Sequence, residues 1–312
     1  MCFITREKMK VTLIYNPDAG SDDQPDGDQL RELIRRAGHV AEYQSSNGKN
    51  WQDALEAPGD LVVVAGGDGI VGKVTKRLIG KGTPIAVLPL GTANNIARTL
   101  GVMDVPLPQL IAGWSGARRQ RFDAGVATGP WGSDHFVEGL GIGLFTDMMT
   151  RLDARGNIDL AHLTEPEEKI TTVLQMLQVR LADCPEMELH ITVDGRELSG
   201  EYVLFEVMNI KSIGPNLFLA PQADPGDGLL DIVCLTRGAQ DKLSQCLAEC
   251  EEESPAPSGL PVRRGKSVHI EWAGSPIHID DQAWPDNGGS YPPSSTVIDI
   301  IVEPGCLEFL VP

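Results

Sequence analysis

The chain has 312 residues, 41% of them hydrophobic and 22% charged, with a formal net charge of −18. That length admits two domains, and the acidic total disfavours nucleic-acid binding and diffuse attraction to anionic membranes. No apolar run approaches the roughly 20 residues that span a bilayer, and Met1-Cys2-Phe3-Ile4 opens no signal-peptide pattern.

A cytoplasmic protein is therefore expected. The six cysteines form no CxxC pair; Cys246 and Cys250 share a helix face with no histidine nearby in sequence. Reduced thiols fit that compartment. Arg118-Arg119-Gln120-Arg121 and Arg263-Arg264-Gly265-Lys266 are local basic clusters of the kind that usually form solvated faces.

Residues 11–15 read as a first strand, ended by Pro17 in the loop Asn16-Pro17-Asp18-Ala19-Gly20. Leu30, Leu33, Ile34 and Ala37 recur at helical spacing before Gly38. A strand over 39–44 and a short helix over 50–56 follow. Residues 61–65 are an apolar run without alternation, as in a strand buried on both faces. The run ends in Gly66-Gly67-Asp68-Gly69, and a helix is predicted over 70–80. Strand 84–88 leads into Pro89-Leu90-Gly91-Thr92-Ala93-Asn94-Asn95. Thr92 has the chemistry of an N-cap for the next helix, whose apolar face is Ile96, Ala97 and Leu100. Alternating strands and helices predict a parallel sheet with helices on both sides, a three-layer α/β domain.

After about residue 120 strands follow strands. Residues 187–193 alternate, Asp194-Gly195 is a hairpin turn, and 201–208 read as the returning strand. Val268, Ile270 and Trp272 alternate, Gly274-Ser275-Pro276 turns, and Ile277 and Ile279 alternate back. Residues 296–302 and 307–311 read as further strands. One helix over 165–182 carries the stripe Ile170, Val173, Leu174, Leu177 and Leu181, with Thr164 and Glu167 spaced as a capping box. Residues 251–259 read as a mobile polar loop. The second half is expected to be an antiparallel β domain with one helix.

Loops 16–20, 66–69 and 89–95 all lie at carboxyl ends of strands of one sheet, where open α/β sheets bind ligands. Two of them lead into helix N-termini, whose free N–H groups and dipole suit phosphate. Neither GxxxxGK[ST] nor GxGxxG occurs. An ordinary tight turn with a solvated Asp68 is the alternative reading of the central loop.

Asn16-Pro17-x-x-Gly20, Gly66-Gly67-Asp68-Gly69 and Pro89-Leu90-Gly91-Thr92-x-Asn94, in that order, resemble the motifs of the diacylglycerol kinase catalytic-domain family, especially its bacterial lipid kinases. Ala220-Pro221 with Asp227-Gly228-Leu229-Leu230-Asp231, the pair Gly141 and Gly143, and the closing Pro304-Gly305-x-Leu307 extend the likeness over nearly the whole chain. Sphingosine and ceramide kinases belong to the same superfamily, and NAD kinases share the Gly-Gly-Asp-Gly loop.

The resemblance implies an NAD-kinase-like α/β nucleotide-binding domain over 1–124, with 303–312 returning to it. It implies a β-sandwich lipid-substrate domain over 125–302 and a site in the cleft between them. The implied chemistry is Mg²⁺-dependent transfer of the ATP γ-phosphoryl group to a lipid hydroxyl. Asn16, Gly20, Gly66, Gly67, Gly69, Pro89, Gly91, Thr92 and Asn94 would bind nucleotide. Asp68 would lie near the phosphates and the acceptor, and Asp280 would be the general base. Asp224, Asp227 and the Leu229 carbonyl would hold Mg²⁺. For Asp280 a hairpin-end aspartate, and for Asp224 and Asp227 a plain acidic turn, are the alternatives.

The lipid would be met transiently at the membrane surface, on its inner face; nucleic acid is not an expected partner, and a homodimer is compatible with the reading. Gly139–Met149 is the expected entrance to an apolar acceptor pocket. The chain departs from the family pattern at Ile70 and Lys73, where threonine and an acid are usual. It departs again at Asp281 and Gln282, which stand for the glycine and glutamate of an Asp-Gly-Glu tripeptide. Asp281 must then avoid the positive-φ conformation that glycine allows. An NAD-kinase-like enzyme and a non-catalytic nucleotide- or lipid-binding protein are the competing readings.

Overall fold

A computed structural model describes residues 8–19, 24–152, 163, 165–249, 258–272, 274–285 and 296–312. The chain divides into two compact units, Met1–Phe122 with Gly305–Pro312, and Asp123–Pro304.

The first unit alternates strand and helix: β1 (Lys10–Tyr15), α1 (Gly27–Arg36), β2 (Val40–Ser45), β3 (Leu61–Gly66), α2 (Asp68–Leu78), β4 (Ile85–Pro89), α3 (Asn95–Thr99) and α4 (Leu107–Gly113). The sheet order is β2-β1-β3-β4, and every pairing is parallel. Every residue of β3 is buried, as its unbroken apolar run requires at the centre of a sheet. Asp26 caps α1: its carboxylate accepts from Gln29 N–H, and the Gln29 side chain accepts from Asp26 N–H.

Two boundaries differ from the sequence-based reading. Helix α2 begins at Asp68, two residues early, so the aspartate sits in the first helical turn. The N-cap of α3 is Asn94, in the left-handed conformation at φ 54°, and Thr92 is not the cap. Asparagine adopts that conformation more readily than most residues.

The chain leaves the first unit within β5 (Arg118–Gly129). The second unit then holds β6 (Gly132–Phe136), β7 (Gly139–Gly143), α5 (Leu144–Leu152), α6 (Pro166–Asp183), β8 (Met187–Val193), β9 (Arg196–Glu197), β10 (Gly200–Tyr202), β11 (Leu204–Met208), β12 (Leu230–Leu235), α7 (Gln240–Glu249), β13 (Val262–Gly265), β14 (Ser267–Trp272), β15 (Ile277–Ile279) and β16 (Gln282–Trp284). The final strand, β17 (Thr296–Val311), runs back into the first unit, where Phe309 pairs in parallel with Ile85 of β4.

A six-stranded sheet has the order β13-β12-β11-β7-β15-β16, antiparallel throughout. A second antiparallel layer runs β10-β8-β14-β17. The two layers share one core, with Leu140, Ile142, Phe205 and Val207 on one side and Ile191, Val268, Ile270 and Ile298 on the other. Leu204 and Met208, on the opposite face of β11, pack with residues of α5, α6 and α7. Among the described residues the second half is therefore a β-sandwich with three α-helices rather than one.

Alternation located these strands but misassigned two partners. Residues 201–208 are not one return strand: β10 pairs with β8, whereas β11 pairs with β7 and β12. Strands β14 and β15 do not form a hairpin, because they belong to different sheets. The N-cap of α6 is Glu165, without a side-chain capping bond, so Glu167 cannot close the predicted box. Thr164, the predicted cap, lies outside the described residues, as do 251–257 of the predicted mobile loop. Among the described residues no helix is long and apolar enough to cross a membrane.

Candidate functional site: glycine loops, a capping aspartate and a buried turn

In the first unit, loops 16–19, 66–69 and 89–95 meet at the carboxyl ends of β1, β3 and β4. Asn16 N–H donates to the Ala65 carbonyl at 2.9 Å, and Leu90 N–H to the Gly66 carbonyl at 3.1 Å. Gly67 and Gly91 touch backbone to backbone: a Cβ on Gly91 would collide with the Gly67 Cα. Both positions require glycine for that close approach. Asn94 pins the loop, its Oδ1 accepting from Gly91 N–H at 2.9 Å and its Nδ2 donating to the Gly91 carbonyl at 2.7 Å. Asn16 Oδ1 accepts from Asp18 N–H and from the Ser46 hydroxyl, both at 3.2 Å.

The predicted residues Asn16, Gly66, Gly67, Pro89, Gly91 and Asn94 thus lie in one set of interlocked loops. Gly69 lies in the first turn of α2, and Thr92 is exposed in the 89–95 loop. Gly20 lies outside the described residues.

Asp68 is not a solvated turn residue. Its Oδ2 accepts from Asn95 N–H at 2.9 Å and its Oδ1 from Ile96 N–H at 3.0 Å, so it caps α3 across the loops. Two of the free N–H groups expected at the start of α3, those of Asn95 and Ile96, are therefore already engaged by this carboxylate. Burial raises the Asp68 pKa, while these backbone bonds and the charge of Arg98 oppose the rise. Arg98 gave no signal in the sequence. Its Nε is buried with no hydrogen-bond partner among the described residues. Of the departures from the family pattern, Ile70 is buried with its Cγ2 packed towards Gly66, and Lys73 is exposed.

In the second unit, Asp280 occupies the turn after β15 at φ 50° and is only 7% exposed. Its Oδ1 accepts from three successive backbone N–H groups, those of Val137 at 3.0 Å, Glu138 at 2.8 Å and Gly139 at 3.3 Å. Asp280 N–H in turn donates to the Gly139 carbonyl at 2.8 Å. The left-handed residue is Asp280 itself, and Asp281 avoids that conformation, as its side chain requires. Beneath the turn lies a buried Glu206–His278 pair that sequence reasoning missed. Gly139–Met149 forms β7, inside the sheet, and the start of α5.

Asp224 and Asp227 share one turn. Asp224 Oδ1 accepts from Gly226 N–H and Asp227 Oδ1 from Leu229 N–H, each at 3.0 Å. Arg264 pairs with Asp227, so one of the basic clusters is not merely a solvated face. Asp231 is buried close by, and its Oδ1 has no hydrogen-bond partner among the described residues. Burial, with the charge of Asp224, pushes the Asp231 pKa up to about 6. Arg264 Nε stands 3.4 Å from it but shares its charge with Asp227.

A carboxyl raised on folding stabilises through its protonated form. That contribution is complete below the ordinary aspartate range and is lost as pH rises through about 6. In metal-free buffer Asp231→Asn is therefore expected to melt above wild type at pH 7 and level with it at pH 4. Thermal melts that coincide at pH 7 would exclude the effect.

The chain thus joins a parallel α/β unit, whose glycine loops rest on a capping aspartate, to a two-layered antiparallel unit. Residues 10–126 match the diacylglycerol kinase catalytic domain, and residues 149–311 match the YegS C-terminal NAD kinase beta sandwich-like domain. The chain belongs to the bacterial lipid kinase family that joins these two domains.

It is 25% identical over 291 residues to a diacylglycerol kinase of Mycobacterium tuberculosis, covering 87% of this chain and 88% of that one. It is 25% identical over 236 residues to a diacylglycerol kinase of Bacillus subtilis, covering 73% and 74%. Its fold matches the crystal structure of a diacylglycerol kinase from Bacillus anthracis with a TM-score of 0.67 at 23% identity, over 98% of both chains.

Proposed function

We propose that the protein transfers the γ-phosphoryl group of ATP to the hydroxyl of a diacylglycerol-like lipid. The observation that carries this reading is the interlocked pair of glycine loops with Asp68 tied into them, in a chain whose relatives are diacylglycerol kinases. In the reaction the acceptor oxygen bonds to the γ-phosphorus, and the bond from that phosphorus to the β–γ bridging oxygen breaks. ADP departs with the electron pair, and the acceptor's proton passes to a carboxylate.

We assign that proton to Asp280 and the orientation of the phosphates to Asp68. Asn16, Gly20, Gly66, Gly67, Gly69, Pro89, Gly91, Thr92 and Asn94 form the nucleotide-binding set. Backbone loops of this kind need no basic side chain to approach phosphate, because glycine lets main-chain N–H groups come close. The lipid is met at the inner membrane face through a local and transient contact, in keeping with a net charge of −18.

Asp224, Asp227 and the Leu229 carbonyl are hard oxygen donors, and the buried Asp231 carboxylate beside them, whose Arg264 partner is shared with Asp227, adds negative charge that is only partly balanced. The donor set fits Mg²⁺. Among the described residues no cluster of three or more His, Cys, Asp or Glu is placed to hold a metal. Waters and backbone oxygens would therefore complete the shell, as is usual for Mg²⁺. Bound there, Mg²⁺ would supply positive charge, while Arg264 already balances part of Asp227.

The acceptor is tested by incubating the enzyme and Mg-ATP separately with diacylglycerol, sphingosine, ceramide and NAD, and identifying products by mass spectrometry. Phosphatidic acid is the expected product. Phosphorylated NAD alone would replace this reading with an NAD kinase, and ATP binding without any phosphorylated product would replace it with a non-catalytic protein.

A further inference from the structure

Glu206, Gly141 and His278 occupy one rung of the six-stranded sheet, with Glu206 opposite Gly141 and Gly141 opposite His278. Both polar side chains are fully buried. The Glu206 carboxyl group reaches over the bare Gly141 to His278 Nε2, at 3.1 Å from Oε1 and 3.0 Å from Oε2. A Cβ at Gly141 would collide with that carboxyl group. Glycine in the central strand is thus what lets the pair close.

The other ring nitrogen, Nδ1, lies 3.1 Å from the backbone carbonyl oxygen of Asp280. A carbonyl only accepts, so Nδ1 carries a hydrogen. At Nε2 the imidazole then either donates to a carboxylate or accepts from a carboxylic acid. In both cases the pair holds two hydrogens and is neutral overall. A neutral imidazole with its Nε2 bare beside ionised Glu206 would leave an uncompensated buried charge. Burial lowers the His278 pKa, but the charge and hydrogen bond of Glu206 and the bond to Asp280 outweigh it, and the net shift is upward.

Asp280 needs such a support. A non-glycine residue at φ 50° sits in a sparsely populated conformation that persists only where its surroundings fix it. Its N–H is held by the Gly139 carbonyl, and its carboxylate by the N–H groups of residues 137–139. His278 is a hydrogen-bonding partner of its carbonyl. We propose that Glu206 and His278 are positioning residues: together they hold the Asp280 carbonyl, and through it the left-handed turn that sets the carboxylate for phosphoryl transfer. The proposal rests on the reading of Asp280 as the base.

Two substitutions separate positioning from packing. Glu206→Gln keeps a donor facing Nε2, so Nδ1–H stays on Asp280. Glu206→Leu fills similar space but leaves Nε2 without a partner. Glu206→Leu is expected to lower kcat about 10²-fold, the scale of an ångström-sized misplacement, with KM for ATP and lipid unchanged. Glu206→Gln is expected to restore most of kcat.

Nuclear magnetic resonance of histidine-labelled wild type reads the pair without reference to activity. Hydrogens at both ring-nitrogen contacts of His278, slow to exchange, are expected at pH 7. The amide resonances of residues 137–139 should move in Glu206→Leu and stay in Glu206→Gln. Wild-type kcat in Glu206→Leu with unmoved amides, or a His278 Nδ1 without hydrogen, overturns the proposal. Asp280→Asn in the same assay tests the base separately. If that variant is fully active while the amides respond to Glu206→Leu, the base reading fails and the hold on the turn stands.

Discussion

Asp280→Asn is expected to lower lipid phosphoryl transfer by about 10²–10⁴-fold, the usual contribution of a general base, while the protein stays folded. Asparagine suits this position better than any other substitute. It adopts the left-handed conformation that Asp280 holds at φ 50° more readily than most residues. Its Oδ1 can still accept from the N–H groups of Val137, Glu138 and Gly139. What disappears is the second carboxylate oxygen and the capacity to take a proton.

The lost charge on those hydrogen bonds should reduce stability by about 1–3 kcal/mol. KM for ATP should not change, because the proposed base acts on the acceptor. Steady-state kinetics beside a thermal melt decides this. Wild-type kcat in a folded variant would remove Asp280 from the reaction.

Asp68→Asn should behave differently, with phosphoryl transfer and ATP affinity falling together. The Asp68 carboxylate bonds to two backbone N–H groups, those of Asn95 and Ile96, one through each oxygen. An amide offers only one acceptor, so one N–H at the start of α3 would face another donor. The charge opposite Arg98 is lost as well. Loss of such a cap costs about 0.5–2 kcal/mol.

The 89–95 loop, built against Gly67, rests on the same helix start, so nucleotide binding should weaken together with transfer. Calorimetric titration with Mg-ATP and a melt of the same sample measure both effects. Unchanged ATP affinity with an unchanged melt would show that Asp68 neither caps nor positions. The contrast with Asp280→Asn lies in ATP binding: that variant should lose turnover with its ATP affinity kept, whereas Asp68→Asn should lose both.

Much of this architecture was legible in the residues. The unbroken run Leu61–Ala65 reads as a central strand because only burial on both faces tolerates it. Three loops at the ends of β1, β3 and β4 follow from chain order and right-handed α/β winding. Less legible was what those loops do to one another. The bond from Asp68 to Ile96 spans 28 residues, and no local pattern announces it.

The same holds for Glu206 and His278, 72 residues apart and joined only through the register of two strands on Gly141. A lone buried acid and a lone histidine each read as ordinary strand residues. Alternation also could not say which sheet a strand joins. Tyr202 pairs in one sheet and Leu204 in the other, and the switch falls at Val203, inside a single apolar run.

The central claim is that ATP breakdown by this protein is phosphoryl transfer to a lipid alcohol. Its most direct test is a balance of ADP released against label recovered in lipid, using γ-labelled ATP, Mg²⁺ and diacylglycerol in mixed micelles. One phosphatidic acid for each ADP is the predicted result. ADP without labelled lipid, or label recovered only as inorganic phosphate, would contradict it.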